Sequence, residues 1–198
     1  QLAFAKKLSF LPPMTADEAK AQLDERVREM MAWHFSDETG CPFWLDWMVE
    51  AGWDPREEVK SYDDIIKFPH FQDEWLRDEK NERFVPNAYK GRPFNVFETG
   101  GTTGLPKQRV GWDDYKHDYE QFSGQLSDDF FPKGGNWIMV GPTGPRRLRL
   151  AVEHLANVRG GSCYHVDLDP RWVKRLIKRK ELDQVERYQA HVMAQAVE

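Results

Sequence analysis

The chain has 198 residues, room for one large domain or two smaller units, and carries 28 Lys and Arg against 33 Asp and Glu, a net charge of −5. That balance leaves no basic footprint for nucleic acid. No apolar run approaches transmembrane length, and no hydrophobic secretory leader is legible, so the expected setting is cytoplasmic.

Residues 1–90 read as a mainly helical segment. Thr15 followed by Glu18 is a capping-box start, and a helix is expected to run from there to about Phe35, with Leu23, Val27, Met30 and Met31 on one side. Gly40 and Pro42 interrupt it. Phe43 to Ala51 reads as a second helix closed by Gly52, Tyr62 to Lys67 as a short one ended by Pro69, and Gln72 to Asp78 as another. The eight Trp and twelve Phe are expected to supply core area, with no one of them assigned to a ligand.

Residues 91–198 read as α/β. Pro93 to Glu98 and Gln108 to Trp112 are short strands that flank Thr99-Gly100-Gly101-Thr102-Thr103-Gly104-Leu105-Pro106-Lys107. Three Gly and three Thr in six consecutive residues cannot fill a core. The glycines permit close backbone approach, the threonines add hydroxyl donors, and Lys107 adds a positive charge. Those are the requirements for cradling a polyphosphate, and that reading is favoured over an ordinary Gly-rich turn. The spacing is not that of a Walker A loop, because Leu105-Pro106 separate the last glycine from the lysine. Pro106 biases Leu105 toward an extended conformation.

Beyond the loop, a helix is expected over Asp113 to Phe130, weakened in its middle by Gly124. Trp137 to Val140 reads as a buried strand, Gly141 to Pro145 as a second flexible loop, Arg147 to Val158 as a helix, and Ser162 to Val166 as the next strand. Pro170 opens a helix ending near Arg179, and Asp183 to Glu198 is a strong helix former. Arg146, Arg147 and Arg149 are open between oxyanion binding and plain exposure. Arg171, Lys174, Arg175, Lys178 and Arg179 form a stripe expected as a solvated face opposite Val173, Leu176 and Ile177. Cys41 and Cys163 are expected as buried free thiols. No histidine pair or Cys/His cluster has zinc-site spacing, and no GxSxG elbow is present.

The segment Thr99 to Lys107 resembles the phosphate-loop signature of the adenylate-forming (AMP-binding) superfamily, which includes acyl-CoA synthetases, aryl-acid ligases and peptide-synthetase adenylation domains. Ser61 to Pro69, Phe71 to Arg77, and Cys41-Pro-Phe-Trp with Ala51 to Pro55 are similar to the lead-in of phenylacetate-CoA ligase-like members. Asp73-Glu74 departs from it, since many of those relatives carry a lysine there. The resemblance covers most of residues 40–198, with only the Gly/Thr loop highly specific. It implies part of the large N-terminal domain of the adenylate-forming fold.

It also implies ATP-dependent activation of a carboxylic acid to an acyl-adenylate, with capture by CoA, a carrier protein's thiol or an amine. Thr99, Gly100, Gly101, Thr102, Thr103, Gly104 and Lys107 would hold the ATP phosphates, with Mg²⁺ screening them. The family's later motifs, including its catalytic lysine, do not follow. The chain is therefore expected to be an N-terminal fragment, inactive alone, that completes its fold with the remainder of the enzyme; a homodimer is left open. A binding module with a degenerate loop and a phosphotransferase of another class stay as alternatives.

Overall fold

The computed structural model describes residues 14–101, 104–142, 144 and 147–198, and the chain divides into two compact units. One runs up to Phe71 and takes in Glu82–Gly91; the other comprises Gln72–Asn81 and Arg92–Glu198.

The first unit is helical. Helix α1 spans Ala16–His34, and its start is the expected capping box. Thr15 Oγ1 accepts from the Glu18 amide at 3.2 Å, and Glu18 Oε2 accepts from the Thr15 amide at 2.8 Å. Of its apolar side only Val27 is fully buried; Leu23 and Met30 are exposed. Helix α2 spans Pro42–Ala51, with Pro42 in its first turn and a left-handed Gly52 closing it. Helix α3, Pro55–Glu58, is a single turn capped by Asp54, which accepts from the Arg56 amide at 2.9 Å. Tyr62–Lys67 is a 3₁₀ turn whose Asp64 accepts from the Lys60 and Ser61 amides.

Aromatic rings fill the space between these pieces. Phe35 stacks on Phe68, Phe68 meets Trp53 edge-on at 4.8 Å, and Trp47 contacts both Phe68 and Trp53. Such pairs add to the large area that aromatics bury. Asn87 returns the chain to this unit, its amide donating to Gly40 O at 2.9 Å.

The second unit begins with α4, one turn at Trp75–Asp78. Strands β1 (Asn95–Glu98) and β2 (Gln108–Gly111) pair antiparallel, with Glu98 opposite Gln108. Helix α5 spans Asp114–Ser123, β3 Trp137–Gly141, α6 Arg147–Val158, β4 Cys163–Asp167, α7 Pro170–Lys178 and α8 Leu182–Val197. β3 and β4 are parallel neighbours joined through α6, the expected strand–helix–strand unit. Phe97 of β1, Tyr115 of α5 and Ala151 of α6 are buried together, with Tyr119 and Leu150 packed around them. This cluster fixes the hairpin to the helical layer. Leu176 of α7 is fully buried, contributing about 1.5–3 kcal/mol by its transfer from water.

Three expectations need correction. Helix α5 stops at Ser123 and does not continue to Phe130: Gly124 is its C-cap, with its amide donating to Gln121 O, and Arg159 takes the Ser123 carbonyl. Its buried guanidinium donates to Ser123 O at 2.8 Å and to Phe131 O at 3.0 Å, and pairs with Asp128. β3 is not buried throughout: Met139 and Gly141 are inside while Ile138 and Val140 are exposed, the alternation of a sheet covered unevenly. Cys163 is only half-buried, whereas Cys41 is buried; both are free thiols.

Among the described residues no helix is long and apolar enough to cross a membrane.

Candidate functional site

The Gly/Thr loop leaves the end of β1 and returns at the start of β2, so the hairpin register sets the spacing of its two ends. Its neck is closed by two hydrogen bonds. The Thr99 amide donates to Lys107 O at 3.0 Å, and the Lys107 amide donates to Thr99 Oγ1 at 3.0 Å. Thr99 Oγ1 therefore acts as an acceptor toward the chain and keeps its own proton to give elsewhere.

Between these ends the backbone takes shapes that ordinary residues resist. Gly101 has φ +61° and Gly104 φ +146°, both on the side of the map that L side chains avoid. A Cβ on Gly101 would also stand 3.1 Å from Pro106 Cγ and 3.2 Å from Gly104 O. Among the described residues nothing lies within 4 Å of a Cβ built on Gly100 or Gly104. Among the described residues, the amides of Gly100, Gly101 and Gly104 have no hydrogen-bond acceptor. Thr102 and Thr103 lie outside the described residues.

The exit arm of the loop is held from a segment that sequence reasoning did not connect to it. Asp73, Arg77 and Asn81 recur every fourth residue through α4 and its flanks. Arg77 Nε donates to Leu105 O at 2.9 Å, the Asp73 carboxylate pairs with Lys107 Nζ, and Asn81 Nδ2 donates to Gln108 Oε1 at 2.8 Å. Gln108 Nε2 in turn donates to Glu98 Oε1 at 2.9 Å, which closes the network on β1.

The arginines after the second loop divide. Arg147 lies 3.6 Å from Asp114 and 3.7 Å from Asp118, both on α5, so it binds the two helices together. Arg149 has its Nε buried without an acceptor among the described residues. Arg146 lies outside the described residues, as do Thr143 and Pro145 of the second loop. Lys174, Arg175, Lys178 and Arg179 are exposed, and so is Ile177, which does not share the packed side of α7 with Leu176. Arg171 turns toward the second loop, where a Cβ on Gly144 would meet its guanidinium at 2.9 Å.

On β4, burial pushes the Cys163 thiol above its ordinary value, and the Glu153 charge adds to this against the opposing Met139 backbone and Arg149. His165 Nε2 lies 3.6 Å from Glu153 Oε2, too far for a hydrogen bond. Burial likewise raises the Cys41 thiol. Neither thiol is poised as a nucleophile.

No protein-family model matches the chain, and no curated protein matches it. Among solved structures it is similar to 2-hydroxyisobutyryl-CoA ligase in complex with 2-HIB-AMP and CoA in the thioesterification state, with a TM-score of 0.54 and 18% identity. The alignment covers 87% of this chain and 39% of that one, so the chain spans well under half the length of that ligase. The architecture of this chain is α/β and matches part of an adenylate-forming ligase fold.

Proposed function

We propose that the loop Thr99 to Lys107 is the polyphosphate-holding element of an adenylate-forming ligase that activates an aryl or acyl carboxylic acid. The observation that carries this reading is the loop's construction. It is closed at its neck by Thr99 and Lys107 and bent through glycines, and among the described residues the amides of Gly100, Gly101 and Gly104 have no acceptor. Such a nest of N–H groups beside an ammonium suits a multiply charged oxyanion. The partial match to an acyl-CoA ligase fold supports the same reading.

In the proposed reaction the substrate carboxylate attacks the α-phosphorus of ATP, the bond to the β-phosphate oxygen breaks, and pyrophosphate leaves. Thr99, Gly100, Gly101, Thr102, Thr103, Gly104 and Lys107 would hold the β- and γ-phosphates and stabilise the charge carried off by pyrophosphate. Mg²⁺ would be carried on the phosphates as a charge screen. The acyl-adenylate would pass to CoA, to a carrier protein's thiol or to an amine. Residues 91–198 would be the α/β portion bearing the loop, and residues 1–90 a helical segment before it.

The test is product identity. The protein is incubated with ATP and a panel of carboxylic acids, phenylacetate and 2-hydroxy acids included. Acid-dependent AMP and pyrophosphate are expected. ADP would make it a phosphotransferase, and nucleotide left intact across the panel would favour a binding module.

A further inference from the structure

The same site carries one more inference, which rests on the phosphate-loop reading. We propose that Asp73 is an internal counter-anion for the loop. It pairs with Lys107 and yields that ammonium to a phosphate oxygen when a polyphosphate binds, so that the pair tunes the loop's affinity, while Arg77 holds the loop's backbone in place.

The two anchors differ in kind. Arg77 grips main chain: its Nε donates to Leu105 O at 2.9 Å, its guanidinium also meets Glu74 at 3.0 Å, and its side chain is only 16% exposed. That contact is independent of the charge state around Lys107. Asp73 grips only the movable end of a side chain, and its own side chain is 57% exposed against 24% for Lys107. A carboxylate so placed can turn into water at small cost, whereas Lys107 is tied by its backbone amide and carbonyl to Thr99. The turn that presents Asp73 does not depend on its carboxylate, because the Leu76 amide donates to Asp73 O at 3.2 Å.

Charge decides the sign. An incoming triphosphate meets Lys107 already neutralised by Asp73 and is repelled by the same carboxylate. Removing that charge while keeping the side chain's shape should therefore tighten binding. A merely structural latch predicts the reverse, since loosening the arm would misplace the ammonium. A half-exposed ion pair is a weak interaction, so the expected gain is modest, about two- to five-fold.

The experiment is calorimetric titration of the chain with inorganic tripolyphosphate and with Mg-ATP, for wild type, Asp73→Asn, Asp73→Glu and Arg77→Ala, in low and high salt. Asp73→Asn should bind both ligands more tightly, Asp73→Glu should match wild type, and Arg77→Ala should bind less tightly. The gain from Asp73→Asn should shrink in high salt, where exposed charges are screened. If wild type binds and Asp73→Asn binds equally or more weakly, the counter-anion role is wrong and the phosphate loop stands. If neither wild type nor any variant binds either ligand, the phosphate-loop reading falls and this inference with it.

Discussion

Lys107 and Asp73, 34 positions apart in sequence, are joined by an ion pair that places the one lysine of the Gly/Thr loop under the control of a separate helical turn. The loop is thus built by two parts of the chain. The hairpin of β1 and β2 supplies its ends, and the Gln72–Asn81 segment supplies the grip on its exit arm. The predictions that follow test these two parts and the fold that supports them.

The residues of the loop should fail in a set order. Gly101→Val should abolish ATP binding and also lower stability, because a β-branched residue cannot adopt φ +61° without strain and its side chain would press on Pro106. Lys107→Ala should leave the fold intact and weaken ATP binding by about ten- to a hundred-fold, the worth of a charge-assisted contact of about 1.5–3 kcal/mol. Thr99→Val should cost less than Lys107→Ala, since it removes one acceptor at the neck and leaves the paired backbone bond. Dissociation constants for ATP, measured beside melting curves, check the order.

Arg159 should be the costliest charged side chain to lose in the α/β unit. Its buried guanidinium satisfies the Ser123 and Phe131 carbonyls and draws in Asp128. Arg159→Met keeps the bulk but strands those acceptors, and should cost about 1.5–3 kcal/mol in urea denaturation. Asp128→Asn should cost far less, because that carboxylate is 58% exposed and water can replace its partner.

Stability should fall on the acid side. The Lys67 ammonium, then the Ser61 hydroxyl and the Lys60 amide, hold the Asp64 carboxyl well below its ordinary value. Arg159 lowers that of Asp128 and Arg56 that of Asp54. Each folded pKa lies below its unfolded one, so the stabilisation is complete above the unfolded value of about 3.9 and drains away as pH falls through the folded values. Burial lowers the pKa of His34, so charging it in the unfolded chain acts in the same direction just below neutrality. The urea midpoint should be nearly level from pH 7 to pH 5 apart from the His34 contribution, then drop toward pH 3. Asp64→Asn should flatten that drop.

Much of this was legible in the sequence where the determinants are local. Thr15 with Glu18 announced the start of α1, Gly52 the end of α2, and Pro170 the start of α7, because capping and proline geometry act within one turn. The expected bounds of α6, Arg147 to Val158, match the helix found. What failed were features decided at long range. Nothing near Gly124 reveals that Arg159, 36 positions after Ser123, takes the Ser123 carbonyl at the end of α5. The run Trp137 to Val140 shows β propensity but not which side of the sheet is covered. In the loop, composition disclosed the glycines and the lysine. The pairing of Lys107 with Asp73 depends on how α4 lies against β2, which no linear spacing encodes.

The most direct measurement is an amide NMR titration of the chain with Mg-ATP. The largest shifts should fall on Gly100, Gly101, Gly104 and Lys107 and saturate together, and Gly101→Val should remove them while the amides of α6 and β4 keep their positions. Loop amides that stay unmoved while ATP is bound elsewhere, or that never respond at saturating nucleotide, would contradict the assignment of this loop to phosphate.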